Sequence, residues 1–184
     1  MLVQDHFCQQ QALLAFMADE SNWRAAAGKY HWWPGWWERP ASNPWEEFIA
    51  LVWQSQGVEN RVAGFEYWCN CLDSSAGLNH LSWHQDKDEV RFRTRQELSC
   101  PEVGTVFYGN PHQLQGGYLE ISADETGSEL ERIKPVFNRL VIFDVSEMHR
   151  VTRVYSGERF SLQINLWVEK PLTFADGDVV SVEV

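Results

Sequence analysis

Basic residues are scarce in this chain. Lys and Arg number 15 against 26 Asp and Glu, for a formal net charge of -11 at pH 7. Such a balance repels phosphate backbones and disfavours a nucleic-acid partner. No apolar run is long enough to cross a bilayer, so no membrane role is expected. The opening "MLVQDHFCQQQ" lacks the basic start and apolar stretch of an export signal. The expectation is a soluble, cytoplasmic protein. Cysteines are few: Cys8, Cys69, Cys71 and Cys100. Without a sign of export they are expected as reduced thiols rather than disulfides. Cys69-x-Cys71 lies near His80 and His84, but the spacing fits no common zinc finger and no second pair follows. Both cysteines read as small hydrophobes on one face of a strand. Repeats and low-complexity tracts are also missing.

Apolar and aromatic residues, by contrast, are plentiful. The hydrophobic share is 44%, and the 184 residues include 10 Trp. That suffices for the core of one domain and argues against disorder. Residues 4–19 are predicted to form a helix, with Phe7, Leu13, Leu14 and Met17 as its apolar side. A loop containing "HWWPGWWERP" follows. A second helix begins at "NPWEEFIALVW". Asn43 can cap it, Pro44 suits its first turn, and Glu46 and Glu47 suit the positive end of its dipole. Trp45, Phe48, Ile49, Val52 and Trp53 make one buried stripe, and Gly57 ends the helix.

Beyond residue 60 short β-type runs alternate with turns: "AGFEYWCNC", "VGTVFYG", "GGYLEIS", "NRLVIFDV", "MHRVTRVY" and "RFSLQINLW". This pattern indicates a mainly β barrel or sandwich. The polar stretch "ADETGSELERI" reads as a connection, and the acidic tail "GDVVSVEV" as an edge strand. In the run 159–167 the alternation is strict. Phe160, Leu162, Ile164 and Leu166 share one face; Arg159, Ser161, Gln163 and Asn165 share the other. Either the polar face meets water, or the apolar face lies under the helices and the polar face lines a barrel holding a charged ligand.

One stretch carries chemistry. In "SWHQDKDE", His84 and Asp86 stand two apart, a spacing that aims both side chains to one side of a strand. Such a pair arises by chance often enough to carry little alone. Imidazole nitrogen with carboxylate oxygen suits Fe(II), and a third ligand would complete a facial triad with open positions. The candidates are His6, His31, His80, His112 and His149. His149 ends "NRLVIFDVSEMH", where a strand meets a turn. Arg159 follows beyond the "YSGE" turn, on a strand that can pair with it as a hairpin. An arginine facing the same interior can clamp a carboxylate bidentately, and Ser161 points the same way. Lys87, Asp88 and Glu89 read as solvated or bonded to local backbone. Gly116-Gly117 reads as a turn and close-packing device.

With these elements in order, the sequence resembles the Fe(II)- and 2-oxoglutarate-dependent oxygenases, in particular their prolyl 4-hydroxylase-like branch. The matching pieces are His84-x-Asp86, "GTVFYGN", "GGYLEI", "NRLVIFD", and His149 with Arg159-x-Ser161, over roughly residues 65–168. The resemblance implies a double-stranded β-helix (jelly-roll) with the N-terminal helices packed on the major sheet. It implies Fe(II) on His84, Asp86 and His149. It implies 2-oxoglutarate with its distal carboxylate on Arg159 and Ser161, and ascorbate as a further candidate cofactor. Tyr108 matches a tyrosine that often lines the cosubstrate pocket, although "YGN" departs from the commoner tyrosine-leucine-asparagine. Asn70 and Asn165 can also reach that pocket, or merely satisfy backbone. Asp86 itself favours hydroxylation, since halogenating relatives carry a small residue there.

The expected organisation is one oxygenase domain over 1–184: helical support over 1–60, a β-helix core over 61–170, and a tail or edge strand over 171–184. The expected activity is hydroxylation of an unactivated C–H bond, on a peptidyl residue or a small metabolite, with release of succinate and CO2. The rival reading is a β-barrel that binds metal or ligand without turnover, such as a sensor. Trp32, Trp33, Trp36 and Trp37 either line an aromatic slot at the barrel mouth or plug the core.

Overall fold

A computed structural model describes residues 1–75, 77–111, 113–122 and 130–181. In chain order the elements are β1 (Leu2–Gln4), α1 (Gln11–Ala18), α2 (Glu20–Ala26), β2 (Lys29–Trp33), α3 (Pro44–Trp53), β3 (Gly64–Asp73), β4 (Leu81–His84) and α4 (Glu89–Arg95). The remainder is β5 (Val103–Tyr108), β6 (Gln115–Gly116), β7 (Leu119–Ser122), β8 (Leu130–Ile133), β9 (Arg139–Phe143), β10 (Met148–Val151), β11 (Val154–Ser156), β12 (Glu158–Trp167) and β13 (Val179–Ser181).

Two antiparallel sheets face each other. The larger runs β1-β9-β5-β12-β3-β2-β13 and the smaller β4-β10-β7-β8, with β11-β6 as a short pair beside them. This is the expected jelly-roll. Its centre is β12, paired along its full length with β3 (Glu158↔Asp73 to Trp167↔Gly64) and on its other side with β5. The alternation of β12 therefore divides two environments. Phe160, Leu162, Ile164 and Leu166, each 0% exposed, point to one side and join the helices in the main core. Trp23 of α2 and Trp45, Phe48, Ile49 and Val52 of α3 belong to that same core. A fully buried side chain of this size contributes about 1.5–3 kcal/mol. The opposite face of β12 turns toward the smaller sheet.

The helix at 44–53 forms as its sequence signals require. Asn43 Oδ1 accepts the Glu46 backbone N–H at 3.0 Å, and Pro44 occupies the first turn. Gly57 follows a short 3-10 turn with φ +63, the left-handed conformation that glycine tolerates best. The region 1–42 differs from its expectation. A helix over 4–19 is realised only from Gln11, and the supposed loop holds α2 and β2. Residues 2–4 instead pair with β9, and Cys8 is tied at both its N–H and its C=O to the Asn138 side chain at 2.8 and 2.9 Å. These distant partners supply the hydrogen bonds a longer helix would have made within itself. The first 60 residues thus add two strands to the large sheet as well as three helices.

The smaller sheet differs from expectation in its pairing. β10 and β12 form no hairpin: β10 lies between β4 and β7, while β12 lies in the other sheet. β11, paired with β6, carries the chain across. The stretch 123–133 splits; residues 130–133 form β8, and 123–129 lie outside the described residues. The tail does give an edge strand, β13, beside β2. All four cysteines are free thiols, and Cys69 and Cys71 pack on the helix side of β3. No described helix is long and apolar enough to cross a membrane.

Candidate metal centre and anion anchor

His84 closes β4, and the register of the small sheet sets it opposite His149 of β10. Asp86 follows two residues on, where its backbone N–H donates to the Val145 carbonyl at 3.2 Å. The three side chains converge. His84 Nε2 and His149 Nε2 lie 3.7 and 3.6 Å from Asp86 Oδ1, and one ligand atom from each residue falls within 4.8 Å of the others. Each Nδ1 is turned to a carbonyl: His84 to Ser82 O at 2.7 Å, His149 to Glu147 O at 2.9 Å. A carbonyl accepts, so each Nδ1 carries the proton and each Nε2 keeps its lone pair for the centre of the cluster.

The electrostatics favour a positive charge at that spot. Burial opposes the charge of Asp86, but the imidazole of His149 and the amide of Asn165 outweigh it and hold the carboxyl below its usual range. Burial likewise opposes a charged His149, yet the neighbouring Asp86 carries it above the ordinary imidazole value. His84, desolvated and beside His149, is shifted down. Two imidazole nitrogens and one carboxylate oxygen on one side of a common point are the donor set of a facial Fe(II) site.

Deeper in the same chamber lies Arg159, 0% exposed. Its Nε donates to Gly117 O at 3.0 Å, one terminal nitrogen to Ser161 Oγ at 2.6 Å, and the other to Tyr108 Oη at 3.1 Å. Gly117 holds φ +67, and a Cβ on it would stand 3.0 Å from Arg159 Cδ, so glycine lets this carbonyl reach the guanidinium. None of the three acceptors is charged. Among the described residues no carboxylate pairs with Arg159, and a buried unpaired cation is costly. The site fits an anionic group that arrives with a ligand.

The remaining expected residues divide. Asn165 faces the chamber and donates to Asp86 Oδ2 at 3.0 Å. It braces the carboxylate, a role the alternation of β12 announced without naming its partner. Asn70 lies opposite Ser161 in the β3–β12 register, half-buried. Of the alternative histidines, His80 is exposed and bonded to Asn79, His31 stacks on Tyr67 at 5.0 Å, and His112 lies outside the described residues. Asp88 is not solvated: its Oδ1 caps α4 through the Arg91 N–H at 3.0 Å and its Oδ2 accepts the Leu172 N–H at 2.7 Å. Sequence reasoning passed over Glu66, which joins the chamber from β3 opposite Asn165. The odd glutamate among the apolar letters of "GFEYWC" was the available signal.

Three comparisons with known proteins bear on this arrangement. A curated PKHD-type hydroxylase of Hyphomonas neptunium is 42% identical over 92 residues, which are 50% of this chain and 37% of that protein. The match thus spans little more than a third of that relative's length. Among solved structures, a Pseudomonas putida prolyl-4-hydroxylase superposes with a TM-score of 0.63 at 20% identity, covering 90% of this chain and 83% of that one. A Trichoplax adhaerens prolyl hydroxylase, in complex with a hypoxia inducible factor oxygen degradation domain peptide fragment, gives 0.57 at 15% identity, covering 92% and 84%. At these identities the structural likeness concerns the fold. A profile of the 2OG-Fe(II) oxygenase superfamily matches residues 68–168. That is more than half of the chain, including β4, β5, β10 and β12, and it makes this protein a member of the 2OG-Fe(II) oxygenase superfamily.

Proposed function

We propose that His84, Asp86 and His149 hold the Fe(II), that Arg159 with Ser161 and Tyr108 holds the distal carboxylate of 2-oxoglutarate, and that the enzyme hydroxylates an unactivated C–H bond of a peptidyl residue or small metabolite. The single observation that carries this reading is the fully buried Arg159, without a described carboxylate partner, on the polar face of β12 that also braces Asp86 through Asn165. Asn70, across from Ser161, is the remaining polar wall of the cosubstrate pocket. One oxygenase domain formed by the whole chain is part of the proposal, supported by a core that joins the helices to the large sheet.

Bound Fe(II) with 2-oxoglutarate supplies the oxidising chemistry, in which O2 converts the keto acid to succinate and CO2 and delivers one oxygen atom to the substrate carbon. The protein's part is positioning. Ser82 O and Glu147 O fix the tautomers and ring planes of the two histidines. Asn165 keeps one oxygen of Asp86 engaged so that the other faces the metal position. Arg159 orients the keto acid, and the apolar surround of Val106, Tyr108, Val141 and Phe143 keeps bulk water away.

Anaerobic titration of the Fe(II)-loaded protein with 2-oxoglutarate, followed by visible absorption, tests this. A charge-transfer band should saturate at one equivalent. Arg159→Ala should need at least about tenfold more 2-oxoglutarate, and His84→Ala or Asp86→Ala should show no band and no substrate-coupled succinate. Full activity in either ligand variant, with Fe(II) supplied, rejects the assignment.

A further inference from the structure

Among the described residues Arg159 is a buried ionisable side chain of the chamber without an opposite charge. Glu66 is a second. Its residue is 9% exposed, it faces inward from β3 opposite Asn165, and its Oε2 accepts a hydrogen bond from Trp167 Nε1 at 2.9 Å. Trp167 is a neutral donor. Among the described residues no Lys, Arg or His forms an ion pair with Glu66, and the charge that acts on it most is a second negative one, Asp86. Burial first, then the field of Asp86, pushes the Glu66 carboxyl up to about 8, against the pull of Trp167 and Asn165. Its ionised form is therefore costly until a cation arrives.

The neighbours of Glu66 suit such a visitor. On the same face of the sheet, Tyr30 of β2 pairs in register with Trp68 of β3, and their rings stack with centroids 4.8 Å apart at 21°. Tyr30 is half-buried, so the pair offers an aromatic surface to the chamber. Its phenol is raised by burial first and then by the charges of Glu66 and Asp86. Behind Glu66, Trp32, Trp167 and Phe174 close the end of the chamber with a dry cluster. A desolvated carboxylate beside stacked aromatic faces is what an alkylammonium or guanidinium group seeks.

We propose that Glu66, with the Tyr30–Trp68 pair, is the substrate-recognition site of this enzyme, and that it selects a substrate carrying an ammonium or guanidinium group. The inference rests on the functional reading above and deepens it: Arg159 takes the anionic cosubstrate at one end of the chamber, and Glu66 takes the cationic substrate at the other. Lysyl and arginyl side chains and the free amino acids share this chemistry. Glu66 reads charge; it takes no part in the metal site.

The test is calorimetric binding to protein loaded with redox-inert Zn(II) and 2-oxoglutarate. The probes are two matched pairs, Nα-acetyl-lysine amide against Nα-acetyl-norleucine amide, and Nα-acetyl-arginine amide against Nα-acetyl-citrulline amide. Free lysine and arginine are run alongside to separate a free from a peptidyl source. At least one cationic probe should bind about tenfold or more tightly than its neutral partner, and Glu66→Gln, which keeps an acceptor for Trp167, should shrink that gap to about threefold or less while leaving 2-oxoglutarate affinity unchanged. Equal or undetectable binding of both members of each pair overturns the proposal, as does a gap that survives Glu66→Gln. Tyr30→Leu guards against a variant that fails to fold: it should weaken cation binding several-fold, and unchanged affinity overturns the aromatic part. If the protein takes up no metal and no 2-oxoglutarate, the functional reading itself fails; if it takes up both and ignores the charge of the probes, only this inference does.

Discussion

Asn165 illustrates how single side chains acquire their roles here. Its amide donates to Asp86 Oδ2 at 3.0 Å, across 79 residues of sequence. A carboxylate held on one oxygen presents the other in a fixed direction, so Asn165 acts as a positioning residue for the proposed metal ligand. Its loss should weaken Fe(II) binding by about 10–100-fold without removing a ligand. A competition measurement of Fe(II) affinity on Asn165→Ala checks this, and wild-type affinity rejects the role. His84 and Asp86 could be singled out in the sequence only together with His149 and Arg159-x-Ser161 in order, since an imidazole and a carboxylate two residues apart also arise by chance. For Arg159 the alternation of its strand gave the face it occupies. The sequence reading has Asn165 reaching the cosubstrate pocket or satisfying backbone, without its partner Asp86, and passes over Glu66, because an amide or carboxylate inside a strand has many partners available and only the fold chooses one.

At the level of elements, strand alternation was the reliable guide and hydrogen-bond partners were the unreliable one. β12 sorted its residues as its pattern indicated, since period two is imposed by the backbone. The helix over 4–19 shortened because residues 2–8 found partners in β9 and Asn138, which no local pattern reveals. The small sheet holds a further case. Glu120 of β7 is 0% exposed and accepts from Arg132 Nε at 2.6 Å and Arg150 Nε at 2.7 Å. Arg150 in turn lies over the Trp83 ring at 4.6 Å, so β4, β10, β7 and β8 are laced across. Burial opposes the Glu120 charge, but the two guanidinium groups prevail and hold its carboxyl below the usual range. A carboxyl depressed in the folded state adds stability above its unfolded-state value, and that stability is lost as pH falls through the folded-state value. Glu120→Gln should therefore lower the unfolding free energy by about 1–2 kcal/mol at neutral pH. The gap to wild type should close as pH drops below about 4. Urea denaturation over this range checks the sign, and a pH-independent gap rejects it.

For the molecule as a whole, the tryptophan-rich segment decides how the helical layer is fastened to the sheet. Trp33 is 0% exposed, stacks on Phe65 at 5.6 Å and donates through Nε1 to Arg39 O at 3.1 Å. Trp36 and Trp37 approach the same Phe65 ring at 5.7 and 5.8 Å. Phe65 belongs to the helix-side core, on the opposite face of β3 from the chamber. These three tryptophans plug that core rather than line a substrate slot, and Trp32 alone turns inward, to the cluster behind Glu66. Trp33→Ala should cost about 3–5 kcal/mol, read as a lower urea midpoint for the entire cooperative transition. A change confined to substrate or 2-oxoglutarate affinity, with stability intact, would speak for a slot.

The sequence by itself determined the class of chemistry and the class of fold. Ligand types, their order along the chain and the two-residue alternation of β12 are local properties, written in adjacent letters. Tertiary structure alone decided which sheet each strand joined, that β10 faces β4 rather than β12, and that Glu66 and Asn165 share a chamber with Asp86. Those outcomes depend on contacts between residues tens of positions apart. Their free energy comes from burial and hydrogen bonding that no short stretch of sequence contains.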